Sequence, residues 1–272
     1  MPRTRIAIHG AGGRMGQRLV ALATADPQLE LVAALEHDAH PQLGRDAGLL
    51  AGCGETGVLL AAALTAPVDV VIDFSVPKAA LKIVGACVER KIPLVLATTG
   101  FESAEREQIA AAARQIALLW SPNMSLAVNL TMQLAAIAAK ALAGNATGVD
   151  VEIIERHHHF KEDAPSGTAL KFGEIIAAQM GQKLAAHGRH GRPGKRPAGE
   201  IGYHAVRVGD NPGEHTIIFG LSGETIELRV GATNRDCYAQ GALAAAKFLA
   251  GKPAGLYSMA NVLGLEQLEP AK

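Results

Sequence analysis

Between residues 5 and 123 the chain alternates short, almost unbroken apolar runs with segments of helical spacing, and no other feature narrows the fold as far. The runs are "RIAIHG" (5–10), "LELVAALE" (29–36), "VDVVIDFS" (68–75), "PLVLATTG" (93–100) and "IALLWSPN" (116–123). A strand with one wet face alternates apolar and polar residues, whereas a strand apolar throughout has both faces covered. Helices supply the cover. Met15, Leu19 and Leu22 recur at helical spacing after the first run, Ser75 with Pro77 offers a start for a helix over 78–90, and 103–115 reads as another. The expected class is α/β, with a parallel sheet between two helical layers.

The pattern changes after residue 125. An Ala-rich helix is expected over about 126–143, a strand at "GVDVEIIE" (148–155), and a second helix over about 167–184. A Gly/Arg/Pro-rich stretch, "HGRHGRPGKRPAG" (187–199), precedes strand-like runs at 200–209, 214–221 and 224–232, the last two flanking a Ser222-Gly223 hairpin signal. A helix over about 237–250 follows. These elements imply a second, α+β domain built on a mixed sheet.

Charge and cysteine content exclude several classes. Lys plus Arg and Asp plus Glu both number 26, so no global charge directs the chain to nucleic acid or an anionic membrane. The basic stretch at 187–199 carries no aromatic residue for base stacking and reads as a solvated loop. A dinucleotide-sensing regulator that binds nucleic acid is the alternative from outside enzymes. No apolar stretch approaches the roughly 20 residues that span a bilayer. Cys53, Cys87 and Cys237 are scattered, which fits a reducing compartment and no zinc cluster. The start leaves no room for a signal h-region, so a soluble, cytoplasmic protein is expected.

"HGAGGRMG" (9–16) falls where the first strand turns into the first helix. Gly10, Gly13 and Gly16 give GxxGxxG, with Met15 where a stricter dinucleotide fingerprint has glycine. The physics is the same: glycines admit a pyrophosphate to backbone N–H groups, and the helix N-terminus favours its charge. Glu36 ends the second strand, where a carboxylate can hold ribose hydroxyls. It opposes a 2′-phosphate and favours NADH, while His37 beside it partly offsets that repulsion and keeps NADPH open. Thr98, Thr99 and Asn123 sit at later strand ends, where ligand crevices open in parallel sheets. The first domain is thus expected to be Rossmann-like and to bind a dinucleotide.

"ERHHHFKEDAPSGTAL" (155–170) raises a separate question. Metal binding is disfavoured because no second His/Cys cluster accompanies the three histidines. Lys161 precedes Ser166-Gly167-Thr168, which reads as a helix N-terminus, and a cation facing a helix N-terminus makes an anion site. Histidines beside it can donate a proton near neutral pH. Together these features indicate a reductase of a small anionic substrate, with another NAD-linked dehydrogenase as the alternative within enzymes.

"GAGGRMG", "ATTGF", "ERHHHFKEDAPSGTAL", "GEIGYHAVRVGD" and "GEHT" together resemble the dihydrodipicolinate reductase family of lysine and diaminopimelate biosynthesis, in order along nearly the whole chain. The resemblance implies NAD(P)H-dependent reduction of 4-hydroxy-tetrahydrodipicolinate without a metal. It places the proton donor on His157, a substrate contact on His158, and a substrate-binding lysine, also a possible donor, on Lys161. Ser166, Gly167 and Thr168 would take a substrate carboxylate. Cofactor contacts would fall on Gly10, Ala11, Gly12, Gly13, Arg14, Met15, Glu36, His37, Ala97, Thr98, Thr99, Ser121, Pro122, Asn123 and Met124. It further implies a homotetramer built through the sheet of the second domain. The C-terminal helix would return to the first, giving 1–125 with 235–272 as the dinucleotide-binding domain and 126–234 as the substrate-binding and oligomerisation domain. His37 stands where arginine is common in relatives that accept NADPH readily.

Overall fold

The computed structural model describes residues 2–182 and 184–265. In chain order the elements are β1 (Thr4–His9), α1 (Arg14–Ala25), β2 (Leu29–Leu35), α2 (Ala47–Ala51), β3 (Leu60–Ala61), β4 (Val70–Asp73), α3 (Pro77–Arg90), β5 (Leu94–Leu96), α4 (Ser103–Ala112) and β6 (Ala117–Trp120). They continue as α5 (Leu126–Leu142), β7 (Asp150–His157), α6 (Gly167–Met180), β8 (Leu184–His187), β9 (Glu200–Arg207), β10 (Glu214–Leu221) and β11 (Glu224–Gly231). The chain then adds α7 (Asp236–Leu249), β12 (Gly255–Tyr257) and α8 (Met259–Val262). These elements form two compact units, Met1–Leu126 with Arg235–Leu265, and Ala127–Asn234.

The first unit holds a seven-stranded sheet in the order β12-β6-β5-β4-β1-β2-β3, with every pairing parallel. Alternate strand residues serve opposite layers, which is why the strands are apolar throughout. Ile6, Ile8, Val70, Ile72 and Leu119 join the layer of α1 and α7, while Ala7, Val71, Leu94 and Leu118 face α3 and α4. Between β1 and β4 the strand order reverses direction, opening a crevice at their carboxyl ends.

The second unit is a mixed sheet, β11-β10-β7-β9-β8, antiparallel at β11-β10 and β10-β7 and parallel at β7-β9 and β9-β8. Val151, Ile153, Ile201, Tyr203, Ile217 and Phe219 pack one face against α5 and α6. Exposed Ile154, Val206 and Ile226 belong to strands of the same sheet.

Three local expectations need correction. The second helix ends at Met180, not near 184, because Gly181 takes the left-handed conformation and returns its N–H to the Ala177 carbonyl at 2.8 Å. That frees 184–187 to form β8. The strand expected to stop at Glu155 continues through His157, since β9 pairs with it up to the register His157–Arg207. Ser75 does not cap α3; Val76 holds the N-cap position, Pro77 follows, and Ser75 Oγ instead donates to Asp73 Oδ1 at 2.7 Å.

Candidate active site

The loop after β1 is shaped by glycines for reasons visible in the backbone. A Cβ on Gly10, whose φ is +80°, would lie 2.6 Å from the Phe74 carbonyl oxygen. A Cβ on Gly16 would lie 2.1 Å from the Gly10 carbonyl oxygen, so α1 can start this close to the turn only without one. Gly13 is the N-cap of α1, and no side chain caps the helix. The start of α1 therefore presents backbone N–H groups, the arrangement that takes an anion. Glu36 reaches back to this loop, accepting Gly12 N–H at 3.2 Å through one oxygen and His37 N–H at 3.1 Å through the other. His37 is exposed and packs edge-on against His40. Gly13, Arg14, Met15, Ala97, Thr98 and Thr99 line one recess with the turn after β4.

Beneath that recess lies a buried group that the strand pattern hides. Asp73, 0% exposed, accepts Thr98 Oγ1 at 2.5 Å and meets His9 Nδ1 at 2.6 Å, in addition to Ser75. The Thr98 hydroxyl is thus committed to Asp73, while Thr99 is exposed. Ser121, Pro122 and Asn123 follow β6, where Ser121 Oγ donates to the Asn123 carbonyl at 2.7 Å and Asn123 Oδ1 accepts Ser125 N–H at 2.9 Å. The Met124 side chain is buried in the core, which leaves only its backbone for a ligand.

In the second unit, strand alternation puts Glu155 and His157 on the helix-covered face in line with Val151 and Ile153. Ionisable groups at such positions need partners. Glu155 Oε2 meets His157 Nδ1 at 2.5 Å, Oε1 accepts Ser166 N–H at 3.0 Å, and Arg207 grips both oxygens at 2.8 Å. Burial alone would raise the Glu155 pKa, but Arg207, His157 and Ser166 outweigh it and hold the carboxyl below its usual range. Burial lowers the His157 pKa, and Glu155 only partly offsets that.

Ser166 is also the N-cap of α6, accepting Ala169 N–H at 3.2 Å, and its hydroxyl lies 3.2 Å from His215 Nε2. Nothing stands within 4 Å of where a Gly167 Cβ would be, so the helix start is open to approach. Lys161 is half-buried and pairs with Asp163 at 2.6 Å, near enough to His157 to oppose its protonation. Among the described residues His158 Nδ1 is buried without a hydrogen-bond partner, whereas His159 Nδ1 lies 2.8 Å from the Gly209 carbonyl oxygen. No group of three or more His, Cys, Asp or Glu side chains among the described residues is arranged to hold a metal. Sequence reasoning did not single out Glu155, Arg207 or His215 as parts of the site. Their signal was faint: charged residues at covered positions of otherwise apolar strands.

His215 carries a pH consequence. Burial, reinforced by His157, pushes its pKa down to about 4 from an ordinary 6.5. Below the ordinary value the unfolded chain binds a proton that the folded chain refuses. The contribution of this ring to stability is therefore complete above pH 6.5 and lost as pH falls towards 4, by about 3 kcal/mol in all. Urea unfolding at neutral and at mildly acid pH should show a smaller acid loss in His215→Gln than in the wild type. Equal losses would contradict it.

The parallel-sheet unit with its glycine loop, and the second unit with a buried histidine beside a helix start, define an oxidoreductase with a dinucleotide-binding domain. The chain belongs to the dihydrodipicolinate reductase family. Residues 4–124 match the family's N-terminal model and residues 127–263 its C-terminal model. The 4-hydroxy-tetrahydrodipicolinate reductase of Rhodopirellula baltica is 53% identical over 268 residues, covering 96% of each chain. That of Burkholderia thailandensis is 47% identical, covering 97% of this chain and all of its own. Among solved structures, dipicolinate-bound dihydrodipicolinate reductase from Paenisporosarcina sp. TG-14 superposes with a TM-score of 0.75 at 26% identity, covering 94% of this chain and 97% of that one.

Proposed function

We propose that the chain reduces 4-hydroxy-tetrahydrodipicolinate to tetrahydrodipicolinate with NADH or NADPH, in lysine and diaminopimelate biosynthesis. The observation that carries this reading is the Glu155 carboxylate, which joins buried His157 to the open N-terminus of α6. An acid and an anion site are thereby built as one piece. A bound reduced nicotinamide dinucleotide supplies the hydride. The glycine loop and the uncapped start of α1 suit its pyrophosphate, and Glu36 suits the adenosine ribose hydroxyls.

Loss of the 4-hydroxyl as water leaves a conjugated cyclic imine. Hydride addition at C4 moves an electron pair onto the ring, and one proton completes the reduction. His157 is the donor, directly or through water, while Lys161 and the Gly167 and Thr168 amides hold a carboxylate. His158, with its unpartnered ring nitrogen, is a further substrate contact. Orientation by these groups removes much of the entropic barrier. No metal enters any step.

Glu36 sets cofactor choice in this reading. Glu36→Ala should weaken NADH binding and leave NADPH binding level or improved, as titration of both cofactors would reveal. Equal weakening of both would remove Glu36 from the ribose site.

We further assign the second unit's sheet to a homotetramer interface, supported by exposed Ile154, Val206 and Ile226. A cytoplasmic setting accords with three free cysteines. Among the described residues no helix is long and apolar enough to cross a membrane. Nucleic acid is not a partner in this reading, because Arg189 and Arg196 of the basic stretch are already paired with Glu152, Glu200 and Asp150.

A further inference from the structure

Glu155 is fixed more firmly than a carboxylate needs to be for packing alone. Its side chain is 0% exposed, and Arg207 donates to both oxygens from β9, the neighbouring strand. The Ser166 amide occupies Oε1 as well, so the carboxylate cannot turn away from His157. An ionised carboxylate only accepts hydrogen bonds, so the 2.5 Å contact at His157 Nδ1 requires the ring proton to sit there. That leaves Nε2 as the nitrogen that gains and loses a proton.

The surroundings of Nε2 agree with this division. A Cβ on Gly213 would stand 2.8 Å from Nε2, and glycine keeps that space free. The His215 ring lies edge-on to His157 at 5.3 Å, with its own Nε2 directed to the Ser166 hydroxyl and not to His157.

We infer that Glu155 is a positioning residue for the reduction: it holds His157 with Nδ1 protonated, so that Nε2 delivers the proton, and it ties that ring to the start of α6. This rests on His157 being the acid. In the step itself the Nε2–H bond of the imidazolium breaks as a C–H bond forms on the reduced ring. His157 is left neutral with its Nδ1 proton in place, and solvent reloads Nε2.

Among the described residues, the ionisable groups that act on His157 are Glu155 on β7, Lys161 in the following loop, Arg207 on β9 and His215 on β10. Only Glu155 favours the protonated ring. Glu155→Gln keeps the shape and removes the charge. The pH limb on which turnover falls as pH rises should then move lower by about one unit, a roughly tenfold loss of turnover above the limb. The Kd for NADH should stay within about twofold, since mass action at the other unit is untouched.

Nitrogen-15 NMR of the full-length protein labelled at histidine reads the tautomer directly. The neutral His157 ring should carry its proton on Nδ1 in the wild type and become a mixture of tautomers in Glu155→Gln. A wild-type ring protonated on Nε2, or an unmoved pH limb in Glu155→Gln, would overturn the inference. The wild-type spectrum alone decides it if Glu155→Gln does not fold. His157→Gln separates the two levels. If that variant turns over normally, the assignment of the acid is wrong. If it loses turnover while Glu155→Gln does not, only the positioning role falls.

Discussion

His157→Gln should lower turnover by about 10²–10⁴-fold, the range for loss of a positioned general acid. Its affinity for pyridine-2,6-dicarboxylate, a planar mimic of the substrate ring, should stay close to that of the wild type. Lys161→Ala should behave differently, weakening substrate and inhibitor together. The contrast follows from what each group is asked to do. An anchor for a carboxylate acts on ground state and transition state alike, whereas proton donation acts almost wholly on the transition state. Steady-state kinetics with inhibitor titration on both variants measures the difference. Equal losses of inhibitor affinity with unchanged turnover at saturation would make His157 a binding residue and move the donor to Lys161 or to water.

Arg207→Ala should produce the largest loss of stability of any single substitution considered. Glu155 has no exposed side-chain surface and Arg207 supplies two of its hydrogen bonds. Removing one partner of a buried pair strands the other, at a cost of about 3–5 kcal/mol. His157 and the Ser166 amide remain to soften that cost, which favours the lower end of the range. Urea unfolding of wild type and variant at neutral pH measures it. A loss below about 1 kcal/mol, the value of an exposed pair, would mean that Glu155 is reached by solvent.

The two-unit plan could be read from the chain because its causes are local. Unbroken apolar runs mark doubly covered strands, and Val70 to Asp73 are buried to the last residue. The glycine loop was legible for the same reason: Gly10 and Gly16 are sites where a Cβ has no room. Short elements were not legible. β8 depends on a helix ending at Gly181 and on an edge of β9 being available, and neither is encoded within Leu184–His187. The proposed acid site divides along the same line. His157, Lys161 and Ser166 lie in one continuous motif, so they stood out together. Arg207 and His215 reach Glu155 and Ser166 from strands about 50 residues away, through pairings that spacing does not reveal. Asp73 was concealed in a different way: it falls inside the strand-like run 68–75, but nothing in that run shows that His9 and Thr98 gather around its carboxylate.

The most direct measurement is spectrophotometric: oxidation of NADH and of NADPH by the purified protein, with 4-hydroxy-tetrahydrodipicolinate generated in the same cuvette. Reduced cofactor should disappear only when both the substrate and the protein are present, and His157→Gln should bind the cofactor yet oxidise it at least a hundredfold more slowly, in line with loss of the acid. A protein that binds dinucleotide but oxidises neither cofactor in the presence of that substrate would contradict the proposed reaction, and an unimpaired His157→Gln would contradict its acid.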